Sequence, residues 1–97
     1  MTRTEILAAL WDVIEDRAAH PSDASYVSRI LRDSKGVDRA LEKMGEESIE
    51  FLLAVKNGVQ DRIVAEAADL LFHYLIALRA AGLTLEDVLV ELEKRRK

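Results

Sequence analysis

The dipeptide Asn57-Gly58 separates two long runs of residues in which apolar side chains recur at the spacing of an α-helix. Asparagine and glycine are the residues that most readily end a helix and form a turn. The pattern therefore predicts two antiparallel helices joined by a short loop, the first from about Val37 to Asn57 and the second from about Asp61 to Ala81. A helical hairpin of this length constrains the remainder of a small chain to pack around it.

Each helix of the predicted hairpin carries two carboxylates three residues apart. Because residues three apart share one face of a helix, Glu47 pairs with Glu50 and Glu66 pairs with Asp69. In an antiparallel hairpin, the sequence numbers of two residues that lie opposite each other add up to the same total at every level of the hairpin. Glu50 therefore lies opposite Glu66, and Glu47 lies opposite Asp69. At a rise of about 1.5 Å per residue, we expect the four carboxylates within roughly 5 to 10 Å of one another.

Four carboxylates at this spacing repel one another, and burial raises their pKa values unless a cation neutralises them. The second helix of the hairpin consists mostly of apolar or small residues, so we expect it to be buried nearly all round. Glu66 and Asp69 should then face protein or a cleft. Mg²⁺ is the predicted cation, because it prefers oxygen ligands and commonly bridges protein carboxylates to substrate phosphates.

The same acids allow two other interpretations. A single pair of glutamates on a helix is commonly a solvated face. Alternatively, Lys43 and Arg62, which bracket the cluster at its two ends, pair with the acids, and the chain is a helical dimerisation module without enzymatic activity. A specific Mg²⁺ site would distinguish the enzyme from the module.

Three further helices are predicted by apolar periodicity outside the hairpin. They run from about Thr4 to Ala19, from about Ala24 to Asp33, and from about Thr84 through Leu92. Trp11 continues the apolar stripe of the first and is predicted to lie in the core. Because the other helices can hardly cover the apolar second helix of the hairpin, the sequence predicts an all-α antiparallel bundle of about five helices, completed by dimerisation. We expect one domain over residues 1–97.

Charge and composition exclude several classes of function. The 97 residues carry a net charge of −4, which argues against binding to nucleic acid or to an anionic membrane. The chain has no cysteine, so disulfides, zinc-thiolate sites and thiol nucleophiles are excluded. No apolar signal segment follows Met1, and Asp69, His73 and Arg79 interrupt the most apolar run. We expect a cytoplasmic protein.

Several polar residues near the acids are candidates for substrate contacts. Ser25, Tyr26 and Arg29 stand at the start of the short second helix, where free backbone amides favour either an anion or a capping side chain. His73 lies one turn beyond Asp69 and level with Lys43. A helical histidine is also commonly a hydrogen-bonded core residue, and that alternative stays open.

These residues together resemble a known family. The resemblance rests on Ser25-Tyr26, then Lys43-x-Gly45-Glu46-Glu47-x-x-Glu50, then Glu66-Ala67-Ala68-Asp69-Leu70-Leu71-Phe72-His73, then Leu85-x-Asp87-Val88. This pattern is similar to phosphoribosyl-ATP pyrophosphatases of histidine biosynthesis, within the MazG-like all-α nucleoside triphosphate pyrophosphatases. Three residues depart from that pattern, namely Val27, Glu42 and Ser48, where the family usually has Thr, Lys and Ala.

The resemblance implies Mg²⁺-dependent hydrolysis of phosphoribosyl-ATP to phosphoribosyl-AMP and pyrophosphate by a homodimer. It implies that four carboxylates hold the metal, that two glutamates are catalytic, and that five residues contact substrate. The metal ligands would be Glu47, Glu50, Glu66 and Asp69. The catalytic residues would be Glu46 and Glu47, with Glu46 positioning or deprotonating the water. The residues that contact substrate would be Lys43, Ser25, Tyr26, Arg29 and His73. The alternative is a related pyrophosphatase acting on noncanonical or deoxynucleotides, which would share the carboxylates.

Overall fold

A computed structural model of the protein describes residues 2–96, and every regular element within that range is helical. A 3-10 turn at Arg3–Glu5 precedes five helices: α1 at Ile6–Ala19, α2 at Tyr26–Leu31, α3 at Val37–Asn57, α4 at Gln60–Ala80 and α5 at Leu85–Arg95. The predicted all-α fold with about five helices is confirmed. None of the helices described is long and apolar enough to cross a membrane.

The helices α3 and α4 form the predicted hairpin and make the most extensive helix pair of the described chain. Gly58 ends α3 in the left-handed conformation, with φ of 72°, and its N–H donates to the carbonyls of Ala54 and Val55 at 3.1 Å each. Glycine adopts this conformation without the steric cost that a Cβ atom brings. Val59 is extended and leads directly into α4. The short loop thus fixes which residues of the two helices face each other.

The hydrophobic core lies to one side of this hairpin. The C-terminal half of α4 supplies Leu75 and Ile76, and α1 supplies Ile14; all three are almost completely buried. The core is completed by Trp11, Val27, Ile30, Ala40, Ala77 and Leu85. The core position predicted for Trp11 is confirmed. Helices α1 and α2 therefore cover α3 and α4 at the end of the hairpin that lies away from its loop.

The second helix is shorter than the predicted range of Ala24 to Asp33 and spans only Tyr26–Leu31. The cause is local hydrogen bonding at its start. The Ser25 hydroxyl accepts the Ser28 N–H at 3.1 Å, which makes Ser25 the cap of the helix. Ala24 belongs instead to a turn, because its N–H donates to the hydroxyl of Ser22.

The expectation that α4 is buried nearly all round is wrong for the single chain. Its N-terminal half is largely exposed, and Val64 has 64% of its surface accessible. The apolar face of α3 is exposed as well, with Leu52 at 63%. The reason is that α3 turns small and acidic residues toward α4, with Ala40, Glu47 and Ala54 as its buried positions. Helices α1 and α2 are too short to reach the loop end of the hairpin.

The burial of Ile14 predicts a large loss of stability when its side chain is shortened. Ile14→Ala removes methyl groups from a position with no exposed surface, and we expect the free energy of unfolding to fall by about 2 to 5 kcal/mol. Val90→Ala on α5, at 43% exposure, is the control and should change stability by no more than about 0.5 kcal/mol. Urea unfolding at fixed protein concentration, followed by Trp11 fluorescence, measures both. Equal losses in the two variants would contradict the core assignment.

Candidate active site

Three carboxylates from the facing sides of α3 and α4 lie together near the middle of the hairpin. Glu47, Glu66 and Asp69 each place one carboxylate oxygen within 4.8 Å of the others. The spacing follows from the hairpin, because residues three apart on α4 share the face that packs against Glu47. Three oxygen donors at this separation can contact a single divalent cation.

Two of these carboxylates are buried, and each has one oxygen atom without a hydrogen-bond partner among the described residues. Glu47 and Glu66 have only 8% and 6% of their surface exposed. The Oε2 atom of each is inaccessible to solvent and accepts no hydrogen bond from the residues described. Asp69 is exposed and connects the pair to solvent. Since a buried acceptor without a partner is costly, and a buried negative charge more so, a divalent cation fits the chemistry of this donor set.

The electrostatics of the cluster favour the same conclusion. Burial raises the pKa of Glu47 above its ordinary value, and the adjacent Glu50 carboxylate raises it further. The pKa of Glu66 is raised by the same two causes in the same order, with the Arg62 guanidinium acting in the opposite direction. Glu50 itself is exposed and lies beside both buried acids. The metal-free cluster therefore holds its protons to higher pH than ordinary glutamates do.

The two flanking cations neutralise little of this charge. Arg62 lies on α4, and its Nη2 atom is 3.2 Å from Oε1 of Glu66. Lys43 pairs instead with Glu46 on its own helix, Nζ to Oε2 at 3.0 Å, and this hydrogen bond raises the pKa of Lys43. Glu46 is exposed, at the outer rim of the cluster. The interpretation of the acids as an ion-paired group therefore accounts for one oxygen of Glu66 and leaves the unpartnered oxygens unexplained.

A chain of hydrogen bonds joins α2 to the edge of the cluster. The Nδ1 atom of His73 is 2.7 Å from the backbone carbonyl of Asp69, and its Nε2 atom is 2.7 Å from the Tyr26 hydroxyl. Because a carbonyl only accepts, Nδ1 carries the hydrogen in neutral His73, and Nε2 accepts from Tyr26. His73 is buried and fully hydrogen-bonded. Sequence reasoning missed this contact because the two residues are 47 positions apart on different helices.

The other candidate substrate residues are engaged within the α2 segment. Ser25 is the helix cap, so its hydroxyl accepts a backbone N–H of its own helix. Arg29 donates from Nη1 to the carbonyl of Asp23 at 2.9 Å, and its guanidinium lies 5.9 Å from the centre of the Tyr26 ring. Such an arrangement is a cation–π contact. Arg29 and Tyr26 are exposed, whereas Ser25 is half-buried.

A model of the phosphoribosyl-ATP pyrophosphohydrolase family matches residues 7–96, which include the whole carboxylate cluster. The chain belongs to this family. The resemblance noted in the sequence is thereby confirmed, as is the prediction that the protein is an enzyme, a hydrolase.

Individual members of the phosphoribosyl-ATP pyrophosphohydrolase family resemble the chain over nearly its whole length. The protein named phosphoribosyl-ATP pyrophosphatase in Methanosphaerula palustris is 59% identical, over 100% of this chain and 98% of the relative. Its namesake in Methanoculleus marisnigri is 59% identical over 95% of each chain. That of Methanoregula boonei is also 59% identical, over 95% of this chain and 88% of the relative.

The three departures from the family pattern lie outside the carboxylate cluster. Val27 is buried in the core, and Ser48 donates its hydroxyl to the carbonyl of Met44 at 2.9 Å within α3. Glu42 is exposed and pairs with Lys35 at 2.9 Å. None of the three is a member of the carboxylate cluster.

The raised pKa of Glu66 predicts a specific dependence of stability on pH. Between the ordinary glutamate pKa of 4.5 and the raised value, the folded protein binds a proton that the unfolded chain releases. The stability contributed by this proton is complete below pH 4.5 and is lost as the pH rises through the raised pKa. Glu66→Gln removes the titration, so its stability relative to the wild type should increase with pH through this window.

Urea unfolding in the presence of a chelator, at a series of pH values, measures this difference. Glu93→Gln is the control, because Glu93 is an exposed acid on α5 far along the chain from the cluster. Its difference from the wild type should show no comparable trend. A Glu66→Gln difference that is constant or declines with pH would contradict the electrostatic account.

Proposed function

We propose that this protein is a Mg²⁺-dependent phosphoribosyl-ATP pyrophosphohydrolase, which hydrolyses phosphoribosyl-ATP to phosphoribosyl-AMP and pyrophosphate in histidine biosynthesis. The observation that carries the proposal is the cluster of Glu47, Glu66 and Asp69, which each place one carboxylate oxygen within 4.8 Å of the others. In the part of the chain that the structure describes, Glu47 and Glu66 each also have a buried oxygen without a hydrogen-bond partner. Family membership and the names of the similar proteins support the choice of substrate. We propose a cytoplasmic enzyme, as expected for a biosynthetic family.

The metal would be held by Glu47, Glu66 and Asp69, with Glu50 beside them as the fourth carboxylate. When bound, Mg²⁺ neutralises the acids and stabilises the negative charge that develops at phosphorus during hydrolysis. A chain of net charge −4 requires such neutralisation to admit a triphosphate among its own carboxylates. The exposed edge of the cluster at Asp69 is the side from which substrate would enter.

The residues of the chain itself supply the remaining functions. Glu46, exposed at the rim, would orient the attacking water and accept its proton as the bond to the departing pyrophosphate breaks. Lys43, 3.0 Å from Glu46, would exchange this contact for a phosphate oxygen of the substrate. His73 would hold the Tyr26 hydroxyl at a fixed position next to the cluster. Arg29, which lies over the Tyr26 ring, is the further candidate for a phosphate contact.

The proposal is tested by measuring pyrophosphate release from phosphoribosyl-ATP and from a panel of deoxynucleoside triphosphates. Turnover of phosphoribosyl-ATP that requires Mg²⁺ and stops with a chelator is the expected result. Preference for a deoxynucleotide would instead favour the related pyrophosphatases that act on such substrates. Calorimetric titration with Mg²⁺ addresses the third interpretation, since a dimerisation module without activity should show no specific binding.

Glu50→Gln tests the fourth carboxylate. The amide keeps the size of the side chain but removes a negative charge beside both buried acids, so we expect turnover to be abolished. Circular dichroism should remain that of the wild type, because Glu50 is exposed. Full activity in this variant would remove Glu50 from the site.

We further propose that the active form is a homodimer in which two copies cover each other's exposed apolar faces on α3 and α4. Leu52 and Val64 are more than 60% exposed in the single chain. Sedimentation at micromolar concentration should give the mass of two chains, and Leu52→Glu should shift it toward one by placing a charge in the interface. Leu92→Glu, on the exposed face of α5, is the control. A monomeric wild type would refute the dimer.

A further inference from the structure

A recess opens at the loop end of the α3–α4 hairpin, directly beside the carboxylate cluster. Its volume is about 370 Å³, and Glu50 and Glu66 of the cluster form part of its wall. Leu53, Ala54 and Val59 line its apolar portion. The recess is therefore continuous with the acids and large enough for part of a nucleotide. A positive charge is provided by the side chain of Arg62.

The contacts of Arg62 leave most of its side chain available for a role other than neutralising Glu66. The Arg62 side chain is 66% exposed, and its Nη2 atom lies 3.2 Å from Oε1 of Glu66. The second oxygen of Glu66 is buried and has no hydrogen-bond partner within residues 2–96. A guanidinium group carries five N–H donors, so one contact leaves most of them available to the recess. Arg62 therefore keeps N–H groups that could bind a further anion, and Glu66 keeps an oxygen that could bind a cation.

We propose that Arg62 is a substrate-binding residue, which holds a phosphate group of the nucleotide in this recess, and that its ion pair with Glu66 belongs to the metal-free protein. This inference rests on the proposed function. A divalent cation held by Glu66 would compete with Arg62 for the same carboxylate and would weaken the attraction between the two side chains. The guanidinium fork then matches the oxygens of a phosphate, which it can contact with two parallel N–H groups.

The position of Arg62 along the hairpin suits this role. Lys43 and Arg62 stand at opposite ends of the acid cluster. Arg62 on α4 lies opposite Ala54 of α3, which is eleven residues after Lys43. At about 1.5 Å per residue, the two levels are about 16 Å apart. Two long cationic side chains reaching inward from these levels can contact opposite ends of a polyphosphate that the acids and their cation hold between them.

The rival account is that Arg62 serves only to neutralise Glu66. Both accounts predict that removing the guanidinium strengthens Mg²⁺ binding, since a competing cation is lost from Glu66. They differ in the effect on substrate. If Arg62 binds phosphate, its removal raises the KM for phosphoribosyl-ATP at saturating Mg²⁺; if it only neutralises Glu66, the KM is unchanged or lower.

The experiment compares Arg62→Gln with Arg62→Lys and with the matched control Arg95→Gln. Arg95 forms the same pairing four residues along a helix, with Glu91 at 2.9 Å, but lies on α5. Calorimetry gives the dissociation constant of Mg²⁺ without substrate, and steady-state kinetics at saturating Mg²⁺ give KM and kcat. Circular dichroism confirms that the variants fold, as expected for exposed positions.

For Arg62→Gln we expect a several-fold lower dissociation constant for Mg²⁺ and a KM raised about tenfold or more, the scale of a lost charged hydrogen bond. Arg62→Lys should fall between Arg62→Gln and the wild type, and Arg95→Gln should change neither quantity. An unchanged or lower KM in Arg62→Gln, or weaker Mg²⁺ binding, would overturn this inference alone. A wild type that neither binds Mg²⁺ nor hydrolyses phosphoribosyl-ATP would overturn the proposed function and this inference with it.

Discussion

Glu47 and Glu66 are buried against each other between α3 and α4, with too little positive charge from the protein to neutralise them. Most interhelical contacts in small bundles are apolar, because apolar burial is the main source of stability. Here the middle of the α3–α4 interface contains two carboxylates, and burial raises the pKa of each. Burying these acids costs stability at this point of the fold, and the proposed cation would supply the positive charge that the protein itself does not provide.

This use of the hairpin interface explains the distribution of apolar surface. Since α3 turns Glu47 and small residues toward α4, its larger apolar residues must lie on its other sides. The core formed by α1, α2 and the C-terminal half of α4 covers only part of the hairpin. Exposed side chains such as Leu52 and Val64 are therefore a direct consequence of placing the acids inside. The proposed homodimer would cover them.

The short helix α2 has a role beyond filling the core. Its Val27 and Ile30 side chains are buried, while Tyr26 on another face reaches His73 beside the acids. One six-residue helix thus anchors itself in the core and positions polar groups at the edge of the site. Lys43 and Arg62 extend the site in opposite directions along the hairpin. The cluster therefore consists of two buried acids and the exposed Asp69, with a cationic side chain towards each end of the hairpin.

The sequence alone determined the helical hairpin, the depth at which the acids meet, and the family, because these depend on local periodicity, on the turn at Asn57-Gly58 and on a specific residue pattern. Helix boundaries within a few residues followed from the same local rules. Only the tertiary structure decided which faces are buried, since burial depends on the reach of other helices. It likewise showed that Lys43 pairs with Glu46, Arg62 with Glu66 and Tyr26 with His73. Such side-chain contacts depend on distances of a few ångströms between atoms, which periodicity does not specify.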